Sequence, residues 1–215
     1  ASCAQPVTHR APSLSRIVRP ACRASCVQPV THRAPVCHAS CAKPVTHHAP
    51  VCHASCAKPV THRAPSPSYG NWRNMTDFEV GLNALNGTLP AEYSAWTTVT
   101  TFSVRNNFLT GTLPPSYSEW NAVKAFSIND NRFTGSLPAS YGSWTYLTKL
   151  SASTNNLSGT IPNWEMPTLD SLSVFQNSLS GTLPSTLSSM SGFFGSHNDF
   201  SGSLPATWSS LRMLG

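Results

Sequence analysis

Apolar and polar residues alternate over short stretches that recur along residues 70–215, once in every 21 to 24 residues. In each stretch the apolar positions lie eight, five and three residues before an Asn. The pairs five and three residues ahead are Phe78/Val80, Phe102/Val104, Phe126/Ile128, Leu150/Ala152, Leu172/Val174 and Phe193/Gly195, and the residues eight ahead are Met75, Val99, Val123, Leu147, Leu169 and Met190. A period of two predicts a short β-strand with one buried side. One strand per repeat predicts a parallel sheet of six strands.

A second pattern, N-x-[LF]-x-G-[TS]-[LI]-P, follows each predicted strand. Its six copies begin at Asn83, Asn107, Asn131, Asn155, Asn177 and Asn198. A fixed unit of 20–29 residues with this Leu and Asn spacing is typical of a leucine-rich-repeat solenoid. The predicted fold is therefore a solenoid of six coils, of the α/β class by convention. It has a parallel sheet on its concave face and little regular helix on its convex side.

The Asn, Gly and Pro of this pattern each have a physical role. A carboxamide both donates and accepts, so a stacked Asn column satisfies backbone groups where each strand turns inward. The Gly allows a tight turn, and the Pro favours an extended convex side over a helical one. Because the Asn-to-Pro interval is constant, the shorter repeats lose residues on the outer arc. A 24-residue series on that arc (Trp72, Trp96, Trp120, Trp144) is interpreted as core.

The first 69 residues differ from the rest in composition. They hold eight Lys and Arg, all seven Cys and no Asp or Glu, whereas the rest has six basic and eight acidic residues. A 15-residue repeat dominates them, as in ASCVQPVTHRAPVCH (24–38) and ASCAKPVTHHAPVCH (39–53). Frequent Pro and the lack of aromatic residues before Tyr69 predict a mostly disordered tract. Near-identical copies also fit a recent duplication with little selected function. We divide the chain into this tract (1–69) and the repeat domain (70–215).

The ends of the chain carry further expectations. Residue 1 begins no signal peptide, and no run is long and apolar enough to span a membrane. The chain stops part-way into a seventh coil, and no polar cap is evident at either end of the solenoid. We therefore expect a fragment of a longer protein.

The repeats resemble those of a known family. The phrases LTGTLPPSYSEW (109–120), FTGSLPASYGSW (133–144) and LSGTLPSTLSSM (179–190) are of the plant type, and their Ser, Thr and aromatic content is similar to the promastigote surface antigens of trypanosomatid parasites. The resemblance covers about residues 70–215. It implies a surface or secreted coat glycoprotein without catalytic activity that contacts host components. In that family the Cys-rich region follows the repeats, whereas here it precedes them. A plant-type receptor ectodomain is the nearest alternative.

The concave face is the default ligand surface of a solenoid. Three outward columns cross it, and their middle is small and neutral. The candidate ligand-binding residues are Arg105, Asn129, Lys149, Ser103, Ser127, Ser151, Ser173, Phe175 and Phe194. The two Phe are predicted to be exposed at the C-terminal end, either as a contact patch or as a surface that a further coil covers.

Three sequons, at Asn74, Asn86 and Asn156, permit N-glycosylation if the chain is secreted. They favour a secreted or cell-surface location.

The tract offers soft ligands close together in Cys37-His38-Ala-Ser-Cys41 and Cys52-His53-Ala-Ser-Cys56. Zinc favours such ligands, but no apolar minicore surrounds them, so disulfides or free thiols are preferred and no metal or other cofactor is expected. Because seven is odd, at least one Cys is free or pairs with another chain. The basic tract could also bind an acidic glycan or membrane surface, although a solvated charge run is the simpler interpretation.

Catalysis finds little support in the sequence. The repeat domain holds one His, His197, and the adjacent carboxylates Asp77 and Glu79 lie in a terminal coil. No catalytic motif is present, and nucleic-acid binding would need a basic folded face. We expect no enzyme, no nucleic-acid partner and a membrane only through an anchor outside this chain. The predicted function is recognition of a protein or glycan at a parasite–host interface, and the alternative is a passive coat without a specific ligand.

Overall fold

The repeats fold into coils whose strands stack side by side. The computed structural model describes residues 65–215, together with two short strands at Cys22–Arg23 and Cys52–Ala54. All strand pairs in the concave sheet are parallel, and the strands follow chain order. In chain order the nine strands of this sheet are β1 (Cys22–Arg23), β2 (Cys52–Ala54), β3 (Asp77–Glu79), β5 (Thr101–Ser103), β7 (Ala125–Ser127), β9 (Lys149–Ser151), β11 (Ser171–Ser173), β13 (Gly192–Phe194) and β15 (Met213–Leu214). The six predicted strands are confirmed, and β15 adds the start of a seventh coil.

A second parallel sheet lies on the other side of the core. Its strands begin after the Asn column and end near the Gly of each repeat: β4 (Asn86–Gly87), β6 (Phe108–Gly111), β8 (Arg132–Gly135), β10 (Asn156–Gly159), β12 (Ser178–Thr182) and β14 (Asp199–Ser201). The sequence analysis missed this sheet. Its apolar positions occur once per strand, as with Leu109 and Leu157, so each strand is too short to display an alternating pattern of its own.

The outer arcs carry short 3₁₀ helices in place of α-helices, as the Pro in each repeat predicts. They span Pro67–Asn71, Ala91–Ala95, Pro115–Glu119 and Ala139–Ser143. The arcs that follow Gly159 and Gly181 belong to the two shorter repeats and form turns. The predicted position of the length change, on the outer arc, is confirmed.

One apolar core runs the length of residues 65–215, between the two sheets and the outer arcs. Every residue eight positions before an Asn is buried, from Met75 to Met190, and so is every predicted inward strand residue. The Trp series is core, as predicted, for Trp96, Trp120 and Trp144, while Trp72 is partly buried. Trp164 and Trp208 join the same buried column in the shorter coils.

The Asn column performs the role that the sequence predicts. The Asn131 amide donates to the carbonyls of Val104, Ile128 and Asn129 at 3.0–3.2 Å, and its oxygen accepts from the Leu109 N–H at 3.0 Å. Equivalent bonds recur in the coils on either side, for example through Asn107. Each carboxamide therefore links three strands of backbone across two coils.

The prediction of a disordered tract concerns residues that, apart from β1 and β2, lie outside the described part of the chain. The Cys and His pairs weighed as metal ligands, Cys37 to Cys41 and Cys52 to Cys56, fall there as well, and so does the pairing of the seven Cys.

Candidate functional site

The concave face presents the outward side of strands β3 to β13. The register aligns Ser103 with Ser127, Ser127 with Ser151 and Ser151 with Ser173. All four Ser side chains are half-buried, so they form a shallow polar column down the middle of the sheet. Hydroxyls both donate and accept, and this column therefore suits a ligand with many polar groups.

Two cations stand on either side of the Ser column. Arg105 and Lys149 are both exposed. The Arg105 stem crosses over Gly81 in the preceding coil, where an added Cβ would lie 2.8 Å from its Cγ. Gly81 therefore leaves the space in which Arg105 lies against the sheet. The acidic residues Asp77 and Glu79 occupy the first strand, so charge changes sign along the face.

Asn129 lies in the same column as Arg105, one coil later, and is half-buried. Its side-chain amide donates to the Asp130 carboxylate at 2.7 Å. That bond fixes the amide orientation and leaves the carbonyl oxygen as an acceptor at the edge of the face.

The predicted exposure of Phe175 and Phe194 is wrong, since both rings are half-buried. For Phe194 the cause is the seventh coil. β15 pairs with β13, and the chain then places Gly215 against the ring, where a Cβ would lie 3.2 Å from Phe194 Cδ1. The described coils thus cover part of the apolar patch, and its remaining surface is a narrow strip at the C-terminal end.

A further column at the edge of the face was not predicted. The residue before each ladder Asn adopts a left-handed backbone with φ of 52–56°: Leu82, Asn106, Asp130, Thr154, Gln176 and His197. Each carbonyl after the first accepts the N–H of the ladder Asn one coil earlier, as in the 3.1 Å bond from Asn131 to Thr154. Asn and Asp favour this conformation, but Leu, Thr and Gln do not, so residue type alone hides the column.

Two of the three sequon Asn residues, Asn74 and Asn156, are exposed, and Asn86 is half-buried. Asn156 begins strand β10 and is in register with Thr134 of β8. A glycan on Asn156 would therefore lie over the second sheet and leave the concave face open.

The described residues offer little chemistry beyond binding. They contain no group of three or more His, Cys, Asp or Glu side chains that could hold a metal ion. His197 is exposed at the edge of the face. Burial raises the pKa of Tyr93, Tyr117 and Tyr141 above 10.0, so their hydroxyls stay protonated and donate to backbone carbonyls. Within residues 65–215, no helix has the length and apolar character to cross a bilayer.

Solved structures with the same fold are plant receptor ectodomains. The plant peptide hormone receptor RGFR1 in complex with RGF2 matches with a TM-score of 0.67 and 24% identity, over 75% of this chain and 26% of that chain. PEPR1–AtPEP1 matches with a TM-score of 0.56 and 26% identity, over 76% of this chain and 26% of that chain. Pollen Receptor Kinase 3 matches with a TM-score of 0.57 and 25% identity, over 62% of this chain and 66% of that chain.

This chain therefore spans about a quarter of the length of the first of these receptors. Neither protein-family models nor curated proteins match the sequence. Parallel strands on the concave face, 3₁₀ helices and turns on the outer arcs, and the Asn column agree with these likenesses. The described chain is a leucine-rich-repeat solenoid of the plant type.

Proposed function

We propose that the chain is a non-enzymatic recognition module that binds an extracellular protein or glycan on its concave face. The observation that carries the proposal is the aligned Ser column of β5, β7, β9 and β11, with Arg105 and Lys149 exposed beside it. A broad sheet with many small polar groups and two cations suits an extended polar ligand with acidic groups. Asn129 adds an acceptor, and the exposed strip of Phe175 and Phe194 adds an apolar contact.

The neighbouring structures support an extracellular binding role. By their titles, RGFR1 is a peptide hormone receptor in complex with RGF2, and HAESA is a receptor kinase whose ectodomain holds a peptide hormone ligand. At 24% identity these likenesses fix the fold, and the ligand of this chain is a matter for experiment. The resemblance of the repeats to promastigote surface antigens adds the parasite–host setting to the proposal.

The rest of the proposal concerns what the chain lacks and where it works. We infer no catalytic residue, no cofactor and no nucleic-acid partner, with a location at the cell surface or in the secreted fraction. Membrane attachment would come from an anchor outside this chain. The eight acidic residues of 215, all beyond residue 76, make the folded part a poor match for a polyanion.

A passive coat is the second candidate, and the exposed sequons favour it. Asn74 and Asn156 can carry glycans that shield the molecule without any specific ligand. A coat predicts no saturable binding to the concave face. Saturable binding at micromolar or better affinity would therefore separate the two functions.

The experiment uses the purified full chain as a probe on arrays of extracellular proteins and glycans. Ser103→Arg together with Ser151→Arg fills the Ser column with two bulky charges. Asn121→Arg together with Thr145→Arg is the matched control, because both residues are exposed on the turns after the Trp column. We expect the first pair to abolish a captured interaction and the control pair to leave it within about two-fold. Binding that survives the concave pair would place the ligand elsewhere.

A further inference from the structure

The two ends of the solenoid core differ in exposure. In the first coil Met75 is fully buried and Phe78 is 2% exposed, close to the values for Phe102 and Phe126 in internal coils. At the other end Leu204, Met213 and Leu214 are 51–58% exposed. A terminal coil has a neighbouring coil on one side only, so its apolar residues stay exposed unless another element covers them. The N-terminal end is therefore covered, although the sequence gave no evident cap.

The backbone of β3 identifies what the N-terminal edge needs. In the next coil the amide of Thr101 donates back to Thr76 at 3.1 Å, and in β3 the amide of Val80 donates forward to Ser103 at 2.9 Å. Alternate residues of a parallel strand bond to opposite neighbours. Because Asp77 is in register with Thr101, the N–H groups of Asp77 and Glu79 point away from the solenoid, toward its N-terminal edge. An edge without a partner would leave both amides open to pairing with another chain.

Strand β2 occupies this edge. It pairs with β3 in parallel, with His53 opposite Asp77 and Ala54 opposite Phe78. By the same alternation the Ala54 N–H faces β3 and the Asp77 N–H faces β2. β1 then pairs with β2, with Cys22 opposite Cys52. The pairing extends the concave sheet beyond the first coil.

Charge favours the same occupant. The edge strand carries two acidic residues, Asp77 and Glu79, whereas the first 69 residues contain eight Lys and Arg and no acidic residue. An acid-free segment of the same chain, joined to the solenoid by a short connection, meets these carboxylates at high effective concentration.

We propose that Cys52–Ala54 is the N-terminal capping strand of the solenoid. In this assignment the tract acts on the folded part of the chain: it pairs the edge amides of β3 and blocks edge-to-edge association with a second copy. The sequence VCHASCAKPVTH occurs twice, at 36–47 and 51–62, so the same residues are available 15 positions earlier in the chain. Position relative to β3 selects the second copy as the cap.

This duplication provides the matched control. Ala54→Pro removes the amide that faces β3, whereas Ala39→Pro makes the same change in the identical sequence of the first copy. Both variants are made in the full chain. Residue-resolved hydrogen exchange is measured at Asp77 and Glu79, with Thr101 and Ala125 as internal references for intact coils.

We expect Ala54→Pro to accelerate exchange at Asp77 and Glu79 about ten-fold or more, and Ala39→Pro to leave it within about two-fold. The reference amides should keep their protection in both variants. Unchanged exchange in Ala54→Pro would overturn the proposal, and equal effects of the two variants would overturn the assignment to Cys52–Ala54. Protection in the unmodified chain that rises with protein concentration would instead assign the edge to a second copy and overturn it as well.

Discussion

The indole Nε1 of Trp120 donates a hydrogen bond of 2.8 Å to the backbone carbonyl of Tyr93 in the preceding coil. The same ring stacks on Tyr117 at 4.1 Å and lies parallel to Trp144 at 6.1 Å in the next coil. One side chain therefore fills the convex core and ties successive outer arcs together. The bond recurs from Trp96 to Tyr69 at 2.9 Å, so the outer arcs are held by a repeated side-chain contact where they lack α-helix.

Trp120→Phe tests this contact. Phe keeps an aromatic ring but removes the donor to Tyr93 and part of the buried volume. The Tyr93 carbonyl still accepts the Trp96 N–H at 3.0 Å, which limits the loss. We expect the free energy of unfolding to fall by about 1–3 kcal/mol in urea titration. Tyr146→Phe, at a side chain that is 60% exposed, should change it by less than about 0.5 kcal/mol.

Asn131 permits a sharper test of the Asn column. Asn131→Ala removes one donor group and one acceptor from buried backbone partners, so we expect a loss of about 2–3 kcal/mol. Asn131→Asp is nearly isosteric, but a carboxylate cannot donate to the carbonyls of Val104, Ile128 and Asn129. It should therefore destabilise the fold at least as much as Ala in the same urea titration.

Asn121→Ala is the control for both variants, because Asn121 is an exposed Asn outside the column. It should stay within about 0.5 kcal/mol of the unmodified protein. An Asp variant as stable as the parent would mean that the three donated bonds contribute nothing.

The concave sheet and its core could be predicted from sequence because each rests on a local, repeated cause. Apolar residues such as Phe102 and Val104 recur with a period of two, and the Asn that follows has only one way to satisfy the turning backbone. The second sheet and the left-handed column have no comparable signal. Thr154 is β-branched and disfavours a positive φ, yet the coil imposes it through the bond between its carbonyl and Asn131.

The candidate site was predictable in part for the same reason. Strand register follows from the repeat, so the alignment of Ser103, Ser127 and Ser151 was expected and is confirmed. Exposure is not a property of one repeat. The ring of Phe194 is half-buried because Gly215, twenty-one residues later, lies against it, and the periodic pattern gives no information about that contact.

The repeat Gly has a cost that two coils separate into parts. Gly135 and Gly159 both have a left-handed backbone, with φ of 76° and 78°. A Cβ on Gly135 would lie 2.9 Å from the Thr112 methyl, whereas one on Gly159 would lie 3.4 Å from Ser136 Cβ. Gly159→Ala should cost about 1–2 kcal/mol from backbone strain alone, and Gly135→Ala should cost more because it adds the contact.

Adding Thr112→Ser to Gly135→Ala removes the methyl and should return the loss toward that of Gly159→Ala. Urea titration of the two single variants and the double variant measures the coupling. A double variant as unstable as Gly135→Ala would assign the whole cost to the backbone.

Stability should fall steeply in alkali because of the buried Tyr column. Burial raises the pKa of Tyr117 well above 10.0, and the hydroxyl donates to the Pro90 carbonyl at 2.9 Å. Above pH 10 the unfolded chain loses this proton while the folded chain keeps it, so the stabilisation is full below pH 10 and decreases as pH rises. Each such Tyr contributes a slope of about 1.4 kcal/mol per pH unit. Tyr117→Phe should make the decline in unfolding free energy between pH 10 and 11 shallower by about that amount, whatever its constant offset from the lost hydrogen bond. Parallel curves for the two proteins would mean that Tyr117 ionises equally well in the folded chain, and burial would not control its titration.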